Sequence, residues 1–175
     1  MGNTTKQQTN YREILHRILI GAINGKNAHL SINKALIGLK LDISGKKVIN
    51  TPYTIWQLLN HLNYWQTKFL EKLEGKEVSF NINWEEGWEG SLNAANQEIL
   101  DRKIKNLLGN IVKATDILIS EGDKVEPHKY YQDKFDVLQA MASHISYHLG
   151  ELIILRRMFG AWNAPTVGFY GSFKI

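Results

Sequence analysis

Two histidines, His144 and His148, interrupt an otherwise apolar helical pattern in the stretch SHISYHLGELIILRRMFG. An imidazole taken out of water needs a partner for each ring nitrogen, so a helix that only packs would carry Leu, Ile or Ala at these positions. Residues four apart on a helix stand one above the other, and two imidazoles so placed can chelate one divalent cation. A catalytic metal usually takes three protein ligands and keeps a further position for water or substrate. The third ligand has to come from another helix and face the core, and His61 best meets both conditions. His16, His29 and His128 lie on a helix face or in loops and are weaker candidates. HISYH lacks the glutamate of the H-E-x-x-H helix, which argues against metallopeptidase chemistry. The competing reading is that these are hydrogen-bonded core histidines, and spacing alone leaves both open.

The chain has no cysteine, which excludes disulfides, thiolate ligands and cysteine nucleophiles. Three imidazoles with open coordination positions suit zinc, nickel or ferrous iron. Glu151, three residues after His148 and seven after His144, should project near the same face as a base or as a hydrogen-bond acceptor behind the ligands. Gln57 and Tyr64 lie one turn either side of His61 and are candidates to line a substrate cavity, with Trp65 assigned to core packing. Arg156 is a candidate to capture an anionic substrate, against the alternative that Arg156 and Arg157 complement the dipole and carbonyls of a last helical turn.

Helices must present these side chains. YREILHRILIGA, residues 11–22, spaces Ile14, Leu15, Ile18 and Leu19 on one face, and AHLSINKALIGL repeats the spacing with Leu30, Ile32, Leu36 and Leu39. Thr54, three residues before Gln57, forms a capping-box pattern that starts a helix at Ile55. Leu58, Leu59, Leu62, Trp65, Phe69 and Leu73 keep to one face of it. After a Trp-bearing connection, a third long helix is expected over 93–119 and a last one over 134–159, stopped by Gly160. In the last, Leu138, Met141, Ile145, Leu149, Leu152 and Leu155 form the stripe that contains the two histidines. The expected fold is all-α: a four-helix bundle over residues 11–163, with a long crossover and an extra short helix near the N-terminus. Residues 1–10 read as a frayed polar tail and 164–175 as an irregular one.

With 175 residues and 43% of them apolar, the chain can build one substantial core. No stretch approaches the ~20 uninterrupted apolar residues of a membrane span, so a cytoplasmic, membrane-free protein is expected. The formal charge of +4 comes from basic residues scattered singly or in pairs, which does not favour nucleic acid as a partner.

SHISYHLGELIILRRMFGAW resembles the last helix of the DinB-like superfamily, the YfiT-type four-helix bundles. INGKNAHLSINKALIGL is similar to that group's G-G-x-A-H-x-x-F-x-x-A segment, TPYTIWQLLNHLNYWQ to its P-x-S-x-W-x-L-L-E-H-x-x-x-A-Q helix, and WEEGWEG to its Trp-rich crossing loop. The resemblance implies a metal held by one His of the second family helix and an H-x-x-x-H pair of the fourth, which fall on His61, His144 and His148. Ser143 stands where many relatives have Asp, Glu151 where they often have Gln, and Lys26 in place of a glycine. The activity implied is that of a metal-dependent enzyme, a thiol S-transferase or hydrolase acting on a small molecule. A low-molecular-weight thiol such as bacillithiol or mycothiol is the implied co-substrate, and a homodimer the implied assembly. The alternative is a non-catalytic metal-binding or stress-response protein, with Trp84, Trp88 and the tail AWNAPTVGFYGSF serving an interface.

Overall fold

The computed structural model describes residues 2–26, 29–80, 85–88, 90–121 and 127–162, with side chains given for these except 2–12, 121 and 127–133. The described residues are helical, without strands, in six helices: α1 (Gly2–Asn24), α2 (Ile32–Leu36), α3 (Leu41–Ser44), α4 (Ile55–Leu73), α5 (Gln97–Glu121) and α6 (Pro127–Met158). α4 packs against α5 and α6, and α1 packs against the same two, so the long helices ring the core in the order α1, α5, α4, α6. α2 lies on α6 and α5, and α3 on α4.

α4 and α6 position the histidines, and both have well-defined ends. The Thr54 hydroxyl accepts from Gln57 N–H while the Gln57 side chain accepts from Thr54 N–H, the expected reciprocal cap. From there Ile55, Leu58, Leu59, Leu62 and Leu73 are fully buried. α6 ends where Gly160 takes a left-handed φ of 64°, with Gly160 N–H on Arg157 O and Ala161 N–H on Arg156 O. A residue with a Cβ adopts that conformation only at a cost, so glycine there closes the last turn. The predicted α6 stripe, Leu138, Met141, Ile145, Leu149, Leu152 and Leu155, is buried throughout.

Three expectations are corrected. α1 is helical from Gly2, through residues taken as a frayed tail, because apolar periodicity marks where a helix packs and not where its hydrogen bonds begin. Its inward residues are Leu19 and Ile23, whereas Ile18 is half exposed. The segment around Leu30 to Leu39 is not one helix. Ser31 caps a five-residue α2, its hydroxyl accepting from Lys34 N–H, Ile37 leaves the helical conformation with ψ at 129°, and Lys40 is extended before α3 begins. The tail beyond residue 162 and Trp84 lie outside the described residues.

Candidate metal centre

His61 projects from α4, and His144 and His148 from successive turns of α6. One ring nitrogen from each lies within 4.8 Å of the others. The ring centroids are 5.2 Å apart for His61 and His144, 4.7 Å for His61 and His148, and 4.4 Å for His144 and His148. The spacing-based triad is therefore one cluster, the only such group of three or more potential ligands among the described residues.

The geometry suits a cation. Two imidazole nitrogens bound at ~2.05 Å to one tetrahedral zinc lie about 3.3 Å apart. Nε2 of His61 and Nε2 of His144 are 3.2 Å apart. His61 and His148 are buried and His144 is half-buried. Burial, helped by the neighbouring His148, lowers His61 to about 4, and burial with His148 and His61 lowers His144 to about 3. Both rings are thus neutral near pH 7, the state that offers a lone pair to a metal. Nδ1 of each is buried without a hydrogen-bond partner among the described residues.

His148 is held differently. Its Nδ1 lies 2.6 Å from Glu151 Oε2, one turn on along α6. A carboxylate on Nδ1 leaves Nε2 as the atom free to ligate and fixes the orientation of the ring. Of the two roles expected for Glu151, the structure provides this one, behind the ligand. Tyr53 and Tyr147 also bring their hydroxyls to the Glu151 carboxylate. Burial and then Glu151 push the Tyr53 phenol well above its ordinary value, and the Glu151 charge raises Tyr147. Tyr147 is four residues before Glu151, a spacing that marks a helical neighbour. Tyr53 has no such local signal, and sequence reasoning missed it.

Aromatic side chains enclose the cluster. Trp88, from the crossing segment, stacks on His61 with centroids 4.1 Å apart and 17° between planes, and it also stacks with Tyr53 at 4.7 Å. Gly87 lets it do so: its φ is 85°, and a Cβ there would fall 2.7 Å from the Tyr64 ring. The far end of the crossing is anchored to α4 by Thr54 Oγ1 donating to Leu92 O and Trp56 Nε1 donating to Ser91 Oγ. Trp65 and Phe69 meet the His144 ring edge-on, so Trp65 is a wall of the site as well as a core residue.

The remaining candidates lie elsewhere. Gln57 is engaged in the α4 cap. Tyr64 donates to Glu86 on the crossing segment. Arg156 is buried, and its guanidinium donates to Ala35 O, Ile37 O and Ala161 O while facing the Trp162 ring. It ties the end of α2 to the end of α6, which is the carbonyl-complementing alternative and not capture of a substrate anion. His29 bonds Leu30 O and Ser146 Oγ, and the His128 side chain is outside the described set.

The fold and site define an all-helical protein with a buried three-histidine group that can hold a metal ion. Compared with known proteins, the chain matches no family model, no curated protein and no solved structure.

Proposed function

We propose that this protein is a metal-dependent enzyme of the DinB-like type, a thiol S-transferase or hydrolase acting on a small molecule. The observation that carries the reading is the convergence of His61 with the His144/His148 pair across two helices, with Nε2 atoms 3.2 Å apart and Glu151 behind His148. The order of the quoted motifs along residues 11–163 supports the family, and a cytoplasmic homodimer using a low-molecular-weight thiol goes with it. No helix among the described residues is long and apolar enough to cross a membrane.

His61, His144 and His148 would hold zinc, nickel or ferrous iron. Such a cation supplies Lewis acidity that makes a water or thiol a nucleophile at neutral pH. The chain's own residues have separate tasks. Glu151 fixes the tautomer and aim of His148, Tyr53 and Tyr147 steady Glu151, and Trp88 shields His61 from solvent.

The test uses the zinc-, nickel- and iron-loaded protein with a set of small thiols against a chromogenic electrophile, and with activated esters for hydrolysis. Metal-dependent turnover that is lost in His61→Ala supports the proposal. Full metal loading without turnover of either kind moves the chain to the non-catalytic metal-binding reading.

A further inference from the structure

The inward side of α6 packs the core through Leu138, Ile145 and Leu152, and the opposite side carries apolar residues that the fold leaves open. Tyr147 is 67% exposed, Ile154 56% and Met158 59%. Apolar residues exposed singly are ordinary, but these three lie on one side of one helix. The exposed positions 136, 140, 143, 147, 150, 154 and 157 are spaced alternately by four and three residues. That is the period of a seam along which one helix packs lengthwise on another.

Gly150 stands in the middle of the seam. A glycine inside a helix destabilises it relative to alanine, so it calls for a reason. Packing within the fold does not supply one, because a Cβ at Gly150 would meet nothing within 4 Å. With Ala140 and Ser143 it keeps the seam shallow around Tyr147, which lets a second helix approach closely.

The order of charges selects the occupant. Asp136 lies at one end of the seam and Arg157 at the other, about 32 Å apart along the axis at 1.5 Å per residue. Neither has an ion-pair partner among the described residues. Laid antiparallel on a second copy of itself, the seam brings Asp136 of each copy to Arg157 of the other, so both ends are matched at once. Ser143 then opposes Gly150, and Tyr147 meets Tyr147 at the centre, as a twofold contact requires. A parallel arrangement would set like charges against each other at both ends.

We propose that the outer seam of α6 joins two copies of this chain in an antiparallel, twofold-symmetric pair. This names the face of the homodimer in the proposed function, and it does not rest on the catalytic reading. The pair buries the Tyr147 ring, whose hydroxyl bonds the Glu151 carboxylate behind His148, so the interface runs along the back of each three-histidine group.

The test is equilibrium sedimentation of the full chain from about 1 to 200 µM, with zinc and with chelator. A monomer–dimer equilibrium is expected in both conditions. Asp136→Arg or Arg157→Asp places like charges at both ends of a symmetric pair and should raise the Kd about tenfold. An equimolar mixture of these two variants should pair as the parent does, and so should the double variant Asp136→Arg/Arg157→Asp. Gly150→Arg should abolish the dimer without lowering the urea midpoint of the monomer, since arginine is the better helix former. If that variant fails to fold, the charge-swapped mixture decides the matter. A monomer across the whole range overturns the proposal and the homodimer with it. A dimer indifferent to all of these substitutions overturns the α6 seam and moves the homodimer to another face. Association that needs zinc also overturns it, in favour of a metal bridge. None of these outcomes bears on whether the histidines hold a metal, which metal content decides separately.

Discussion

Trp88 lies flat on His61, with ring centroids 4.1 Å apart and 17° between the planes. A loop residue thereby completes the burial of an imidazole that α4 alone would leave at the edge of its apolar face. Trp88→Ala removes two stacked pairs, with His61 and with Tyr53, each worth about 0.5–1.5 kcal/mol beyond the area it covers. It also admits water to His61, whose lowered pKa comes mainly from burial. The imidazole should titrate near 4 in the metal-free parent and move toward the ordinary histidine range in the variant, measured by NMR of the ring protons. An unmoved titration would mean that Trp88 does not cover the ring in solution.

Glu151 acts through His148. Glu151→Gln keeps a hydrogen-bonding group of the same shape but removes the charge on Nδ1, so zinc affinity should fall about ten- to a hundredfold, as for other partners of metal-bound histidines. Competition with a chelating dye measures it, and Glu151→Ala should lose more. Equal affinities in the parent and both variants would leave Glu151 with no role behind the ligand.

Metal-free protein should lose stability in acid sooner than carboxylate protonation explains. Unfolded histidines titrate near 6.5, whereas folded His61 and His144 do so at about 4 and about 3. Between those values the unfolded chain binds more protons, so the stability these neutral rings contribute is full above pH ~6.5 and is lost as pH falls toward 4 and 3. Urea midpoints should therefore drop from pH 6.5 to 5, above the carboxylate range. A flat midpoint there would contradict the buried, neutral pair.

Arg156 is structural in this account. Arg156→Leu leaves the carbonyls of Ala35, Ile37 and Ala161 without their donor, at a cost of about 1–3 kcal/mol for each one that stays buried and unpaired. Thermal unfolding should shift down by several degrees while zinc affinity is unchanged. Intact stability with altered handling of anionic substrates would restore the substrate role.

What the sequence disclosed follows from which signals are local. His144 and His148 stand out because polar rings in an apolar stripe need a reason, and the Thr54/Gln57 cap fixes the start of α4 to the residue. His61 could be chosen because, among the remaining histidines, it best combined a place on another helix with a position facing the core. Trp88 and Tyr53 were not legible as neighbours of the cluster, since stacking between a non-periodic segment and a helix depends on the folded path. Arg156 misled because a cation near a helix end looks the same whether it meets a ligand or three carbonyls from two other segments. The break between α2 and α3 was hidden by Leu30, Ile32, Leu36 and Leu39, whose helical spacing persists although Ile37 and Lys40 leave the helix.

The most direct test of the three-histidine centre is the metal content of protein purified without chelator or histidine tag, beside the His144→Ala/His148→Ala variant. The account predicts about one equivalent of zinc, nickel or iron per chain in the parent, and none in the folded variant. Metal-free parent protein that takes up none of these ions on addition, or a variant that keeps its metal, would contradict it.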